Sequence, residues 1–192
     1  MRSDAHGNRL RILEAAAEVL AAPGDASLKS IARRAGVGQG TLYRHFPSRE
    51  CLVLAVYEDE VEGLVTAVPV LLGGLPPQLA LRTWLERLLD VGRCLPEFAN
   101  VMHLVTTTPA KPCGDAYRPL LDALSTLVRA NETAGTLDPG TTADDVLLLL
   151  GPLWYVGAGS EEHARSDRLF ETVLRGLCPA TAGREPPAGA AG

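Results

Sequence analysis

The apolar residues of this chain recur at helical spacing nearly everywhere, which predicts an all-α fold. Leu10, Leu13, Ala16, Ala17 and Leu20 stripe a first helix that stops near Pro23-Gly24. Leu28, Ile31, Ala32 and Ala35 mark a short second helix, and Leu42 and Phe46 a third. From Ser48 a longer helix carries Leu52, Val56, Val61, Leu64 and Val65 and ends before Pro69. A Gly73-Gly74 loop then leads to Pro76-Pro77, good openers of a helix because proline's fixed φ suits its first turn. That helix holds Leu81, Trp84, Leu85, Leu88, Leu89 and Val91, breaks near Pro96, and restarts at Glu97 to run to about Thr107. Thr108 to Gly114 reads as a loop, and Asp115 to Ala134 as a helix presenting Leu120, Leu121, Leu124, Leu127 and Val128, ended by Gly135. Thr142 to Asp145 resembles a capping box, with Asp in place of the usual Glu. The helix it opens runs through Leu147-Leu148-Leu149-Leu150 to Trp154-Tyr155-Val156, with a kink expected at Pro152. A last helix spans roughly Ala164 to Leu177.

The short helices near the start carry the most specific pattern. Ser27 is a good N-cap, able to accept a hydrogen bond from a free N–H of the first turn. Lys29, Arg33 and Arg34 lie off the apolar face of the helix it opens, and Gly36 ends that helix. Val37 plugs the angle, and Gly38-Gln39-Gly40-Thr41 opens the next helix with small and hydrogen-bonding side chains. Leu42 and Phe46 point to the core, leaving Thr41, Tyr43, Arg44 and His45 outward. Pro47 stops the helix and Ser48 caps another that begins with Arg49. Two short helices joined at a glycine, the second with a polar outer face, are a helix-turn-helix, whose second helix enters the DNA major groove.

These residues resemble the DNA-binding domain of the TetR family of bacterial repressors. The resemblance rests on Ile31-Ala32 to Ala35-Gly36-Val37, on Gly40 to Phe46, on Ser48-Arg49-Glu50, and on Ile12 to Ala16 as the first helix. It is specific over roughly residues 9–56. Leu20, Gly38 and Arg49 depart from the family's more common phenylalanine, serine and lysine. Trp84-Leu85 and the helix from Ala143 to Trp154 resemble the actinobacterial subgroup with an SbtR-type C-terminal domain.

The resemblance implies a helix-turn-helix domain over 1–50, a helical ligand-binding and dimerisation domain over 51–178, and a disordered tail over 179–192. Gln39 and Thr41, at the start of the recognition helix, are placed to reach base edges. Gly40 allows close approach to the duplex. On the resemblance, Tyr43 and His45 contact phosphate or sugar. Arg44 could face groove or backbone, and Lys29 and Arg49 are expected on phosphates.

Charge agrees with that layout. The net charge of −5 is odd for a protein that simply coats nucleic acid. Yet residues 1–50 hold eight Lys/Arg against five Asp/Glu, and the rest hold ten against eighteen. A basic head on an acidic body suits contact with DNA through one end. Cys51, Cys94, Cys113 and Cys178 lack metal-binding spacing. No signal peptide or membrane-spanning run is read, so a reducing cytoplasm with free thiols is expected, with no cofactor, metal or membrane partner.

The resemblance also implies a pocket in the body for a small apolar or amphipathic effector. Its expected lining is Trp84, Leu88, Phe98, Met102, His103, Thr106, Tyr117, Leu121, Leu150 and Trp154. The helix through Leu147 is apolar on most sides, so its own body and a second copy are expected to cover it, with Leu147, Leu150, Trp154 and Leu174 at or beside a two-fold interface. Together these describe a ligand-responsive regulator, a repressor by resemblance, that binds a palindromic operator as a homodimer. The alternative is a thiol-redox regulator using Cys94 or Cys113. An enzyme pairing one of these with His103 has no nucleophile motif behind it.

Overall fold

In a computed structural model, residues 2–22, 26–108, 117–156 and 160–179 are described. All regular structure among them is helical: α1 (Arg2–Ala21), α2 (Leu28–Arg34), α3 (Gln39–His45), α4 (Arg49–Val56), α5 (Glu58–Gly74), α6 (Pro77–Cys94), α7 (Pro96–Thr107), α8 (Arg118–Thr133), α9 (Ala143–Leu150) and α10 (Ser160–Leu177), with a 3-10 segment Gly151–Tyr155 after α9. The tail beyond residue 179, Cys113 and most of the expected 108–114 loop lie outside the described residues.

Two apolar cores form. The head core joins Ile12, Ala15 and Ala16 of α1 to Ile31, Ala32, Ala35, Leu42, Phe46 and Leu52. Ile12 and Ala16 set the inward face of α1, so Leu10 and Ala17 of the expected stripe lie exposed and Leu20 leans on the body core instead. The body core runs from Val53 and Leu54 through α5–α10. Helix α4 feeds both cores, with Leu52 in one and its neighbours Val53 and Leu54 in the other.

The single helix expected from Ser48 to Pro69 is two. Tyr57 leaves helical geometry at φ −103°, ψ 32°, yet its N–H still reaches Val53 O and its C=O accepts from Val61 N. These two bonds still flank the joint where one helix gives way to the next. Glu58, Asp59 and Glu60 follow at once, and three acidic residues in a first turn favour a new helix start through its dipole. Pro69 does not end α5, and Gly73-Gly74 are its last turn rather than a loop. Proline costs one ladder bond. Burial of Val68 and Leu71 on either side outweighs that loss.

The body closes by ties between helices. Trp84 Nε1 donates to Leu64 O at 2.8 Å, pinning α6 to α5. Asn131, fully buried, donates to Pro77 O and Leu127 O and accepts from Thr136 Oγ1. Arg82 forks onto Glu171 and Glu86 with its guanidinium over Phe170, and Arg93 reaches Asp90, Ser166 and Asp167. These two arginines clamp α10 along α6. The box at Thr142 and Asp145 forms as expected, with both reciprocal bonds present. At Pro152 the chain tightens into the 3-10 segment. Helix α10 starts four residues ahead of the expected Ala164, at Ser160.

Of the expected interface residues, three are covered within the protomer. Leu147 and Leu150 are fully buried in their own protomer and Trp154 nearly so, because α7 and α8 pack over that side of α9. Leu174 is half-buried against the body core. The apolar residues left exposed there are Leu148, Leu149, Tyr155 and Leu169.

Candidate nucleic-acid interface

The helix-turn-helix is built by local chemistry. Ser27 Oγ accepts from Ser30 N–H and starts α2. Gly36 takes φ +65°, a left-handed turn that only glycine adopts without cost, and aims the chain into α3. Val37 N–H closes the turn on Ala32 O at 3.0 Å. Leu42 and Phe46, only 0% and 3% exposed, fix which face of α3 looks inward. Ser48 Oγ then accepts from Cys51 N–H and opens α4.

The outer face follows. Gln39, Gly40, Tyr43 and Arg44 of α3 are exposed, as is Lys29 of α2. Thr41 and His45 are half-buried. Arg44 folds back along its own helix, Nε on Gly40 O at 3.1 Å and a terminal nitrogen on Thr41 Oγ1 at 3.4 Å. No side chain crosses Gly38 or Gly40, where an added Cβ meets nothing within 4 Å, so the N-terminal end of α3 is open to a close approach. Arg33 is exposed, while Arg34 pairs with Glu18 of α1.

Arg49, expected on phosphate, has protein partners from two other parts of the chain. One guanidinium nitrogen donates to Ala26 O and another meets the Glu97 carboxylate at 2.9 Å. The residue thus bridges the α1–α2 turn, the start of α4 and the start of α7. Beside it, Tyr57 packs edge-on to Phe98 at 6.4 Å. Burial, helped by the Glu97 and Glu60 carboxylates and opposed by Arg49, holds the Tyr57 phenol above its ordinary pKa.

The ten expected effector residues differ in burial. Trp84, Leu88, Phe98, Met102 and Leu150 are fully buried core, Tyr117 and Trp154 nearly so, and Leu121 half-buried. Burial, and then the Asp144 carboxylate, pushes the Tyr117 phenol far above its ordinary range. His103 is exposed and stacks edge-on against Tyr155 at 5.5 Å. Thr106 Oγ1 donates to Met102 O and His103 O, both 2.9 Å away.

The described cavities lie elsewhere. One of about 320 Å³ opens between the ends of α6, α8 and α10, around Leu81, Arg82, Leu137 and Leu174. Two grooves of about 500 Å³ each follow α5 and meet at Val65 and Pro119. The first reaches Arg9 and Leu54 at the head, and the second reaches Leu72 and Thr126. Pattern reasoning missed these, since they form where helix ends diverge rather than where apolar residues gather.

Of the two thiols named for the rival readings, Cys94 is described and Cys113 is not. Cys94 is exposed, but its neighbour Arg93 is committed to Asp90, Ser166 and Asp167 and supplies no free cation to a thiolate. Among the described residues no His/Cys/Asp/Glu group could hold a metal, and no helix is long and apolar enough to cross a membrane.

Residues 12–56 match the family described as bacterial regulatory proteins, tetR family. The HTH-type transcriptional regulator UidR of Escherichia coli K12 is 39% identical over 64 residues, 32% of this chain and 33% of that protein. The match thus spans about a third of such curated relatives. A TetR transcriptional regulator from Streptomyces coelicolor is 38% identical over 90% of this chain and 99% of its own, with a TM-score of 0.57. FadR of Thermus thermophilus, a TetR-family repressor solved with lauroyl-CoA, is 23% identical and shares the fold at a TM-score of 0.69 over 95% and 100% of the two chains.

Proposed function

The chain belongs to the TetR family of bacterial regulatory proteins, and from that premise we propose that it is an effector-responsive repressor acting as a homodimer on a palindromic operator. The observation that carries the reading is the open N-terminal end of α3, with Gln39, Gly40 and Thr41 at the tip and Tyr43 and Arg44 beside them. Gln39 offers a bidentate partner for adenine, and the Thr41 methyl a contact for thymine. Lys29, Tyr43 and His45 hold the backbone, which fixes register and carries most of the salt dependence.

Pairing of two chains is supported by Leu148, Leu149, Tyr155 and Leu169, exposed leucines and a tyrosine on α9, the 3-10 segment and α10. A second copy would remove them from water, and two helices from each chain would make a four-helix bundle. The paired heads then meet half-sites about 34–36 Å apart or a multiple of that. An apolar or amphipathic effector acts by binding the DNA-incompetent dimer more tightly than the competent one. The α5 groove reaching from Leu72 to Arg9 is the described cavity that touches both halves, which suits that task. Action on cytoplasmic DNA and the absence of turnover belong to the same reading.

Selection of duplexes from a random-sequence pool by the purified protein tests it. Enrichment of a two-fold symmetric sequence is the expected result. Enrichment of no sequence overturns it.

A further inference from the structure

We propose that the Arg49 guanidinium is exchanged between the Glu97 carboxylate of the body and a phosphate of the operator, so that Glu97 competes with DNA for the first turn of α4. The inference rests on the DNA-binding reading above and names how the body regulates that site.

Three observations lead to it. First, Arg49 opens α4 directly after the recognition helix and its stop at Pro47, with only Ser48 between, and its side chain remains 31% accessible. It is reachable by a duplex lying along α3. Second, in the free protein its charge is not idle. It is neutralised by Glu97, 48 residues away, at 2.9 Å. Third, the other end of the fork rests on Ala26 O, the carbonyl preceding the cap of α2. Arg49 thus fixes the head against α7 while it is paired.

The two partners exclude each other. A phosphate brought to the guanidinium would stand within a few ångströms of the Glu97 carboxylate, and two anions so close repel. A guanidinium fork can turn from carboxylate to phosphate because both present the same pair of oxygens. Glu97 lies in the first turn of α7, which also carries the core residues Phe98 and Met102. Its distance from Arg49 therefore follows the position of α7. The bend at Tyr57, edge-on to Phe98, is the joint next to this pair. Any rearrangement of the body that moves α7 toward Arg49 strengthens the competitor of DNA, and any that moves it away releases the cation.

A double-mutant cycle on the full-length protein tests the exchange, using a duplex enriched by the wild type from a random pool. Glu97→Gln keeps the shape but frees Arg49, and should bind about two- to fivefold tighter, the range expected from losing a partly exposed ion pair that opposes binding. The same substitution in an Arg49→Ala background should change nothing. Glu97→Ala provides a second variant and should repeat both results. Equal or weaker binding by Glu97→Gln and Glu97→Ala overturns the exchange, since the pair then persists on DNA as a clamp. A gain that survives Arg49→Ala overturns it as well, because a long-range charge effect would suffice. If the wild type enriches no duplex, the DNA-binding reading itself has fallen, a result distinct from either.

Discussion

The Trp154 indole occupies the space where Gly92 lacks a side chain: a Cβ there would sit 2.3 Å from Nε1 and 2.5 Å from Cδ1. Helix α6 and the 3-10 segment approach each other through this contact. Gly92→Ala should gain about 1 kcal/mol of helix propensity. It should lose about 1–3 kcal/mol by overpacking, because the obstacle is a rigid ring and not the tip of a flexible chain. The net effect should be destabilising, read as a lower urea midpoint at unchanged slope. Trp154→Phe combined with Gly92→Ala should recover part of the loss. A more stable Gly92→Ala single variant would show that the indole moves aside freely.

Base recognition should be separable from backbone contact. Thr41→Ala should narrow discrimination between the selected operator and single-base variants, by about 1–3 kcal/mol at the position it reads. Lys29→Ala should weaken all duplexes alike and reduce the salt slope by about one. Titrations at several salt concentrations distinguish the two. Identical salt slopes for Lys29→Ala and wild type would remove Lys29 from the interface.

Leu148 and Leu147 should respond in opposite ways to the same change. Leu148 is exposed in the protomer, so Leu148→Glu should leave the fold intact and yield a soluble species of half the wild-type mass in sedimentation. Leu147 is fully buried, so Leu147→Glu should unfold the chain. A Leu148→Glu protein with the wild-type mass and fold would exclude that face from dimerisation.

The acid limb of stability should depend on Glu171. Hydrogen bonds from Arg82, and the charges of Arg82 and Arg175, hold the Glu171 carboxyl below its ordinary pKa. A group with a depressed folded pKa stabilises fully above its unfolded value and loses that contribution as pH falls through the folded one. Glu171→Gln should therefore be less stable than wild type near neutrality, with the difference shrinking from about pH 5 downward. Denaturant midpoints measured across that range check the convergence. A constant gap would mean that Glu171 does not titrate differently in the folded state.

What was legible in the sequence was whatever short-range chemistry decides. Ser27, Gly36 and Ser48 each act on neighbours within a few residues, Leu42 and Phe46 mark one face by their helical spacing, and the helix-turn-helix follows from them directly. The box at Thr142 and Asp145 is of the same kind. The bend at Tyr57 had a signal in Glu58-Asp59-Glu60, but the unbroken apolar spacing through Val56 and Val61 masked it. In the run Leu147 to Leu150 every position is leucine, so periodicity cannot say which two face inward. That choice was made by α7 and α8. The Arg49–Glu97 pair joins residues far apart in the chain, and local pattern carries no trace of it. The effector lining is hard to read from sequence for a related reason: aromatic residues at helical spacing mark both cores and pockets, and Trp84 and Phe98 are fully buried here.

Helix α4 gives Leu52 to one apolar core and Val53 and Leu54 to the other. The two cores cannot melt one after the other without exposing part of the same two-turn helix. Heating should therefore produce a single cooperative transition, in which near-ultraviolet signals from Trp84 in the body and far-ultraviolet helicity fall together. A fragment cut after residue 50 would lack Leu52 and the residues Ala55 and Val56 that lean on the head core, and would not refold alone. Autonomy of the head, if it is to be engineered, begins beyond Val56.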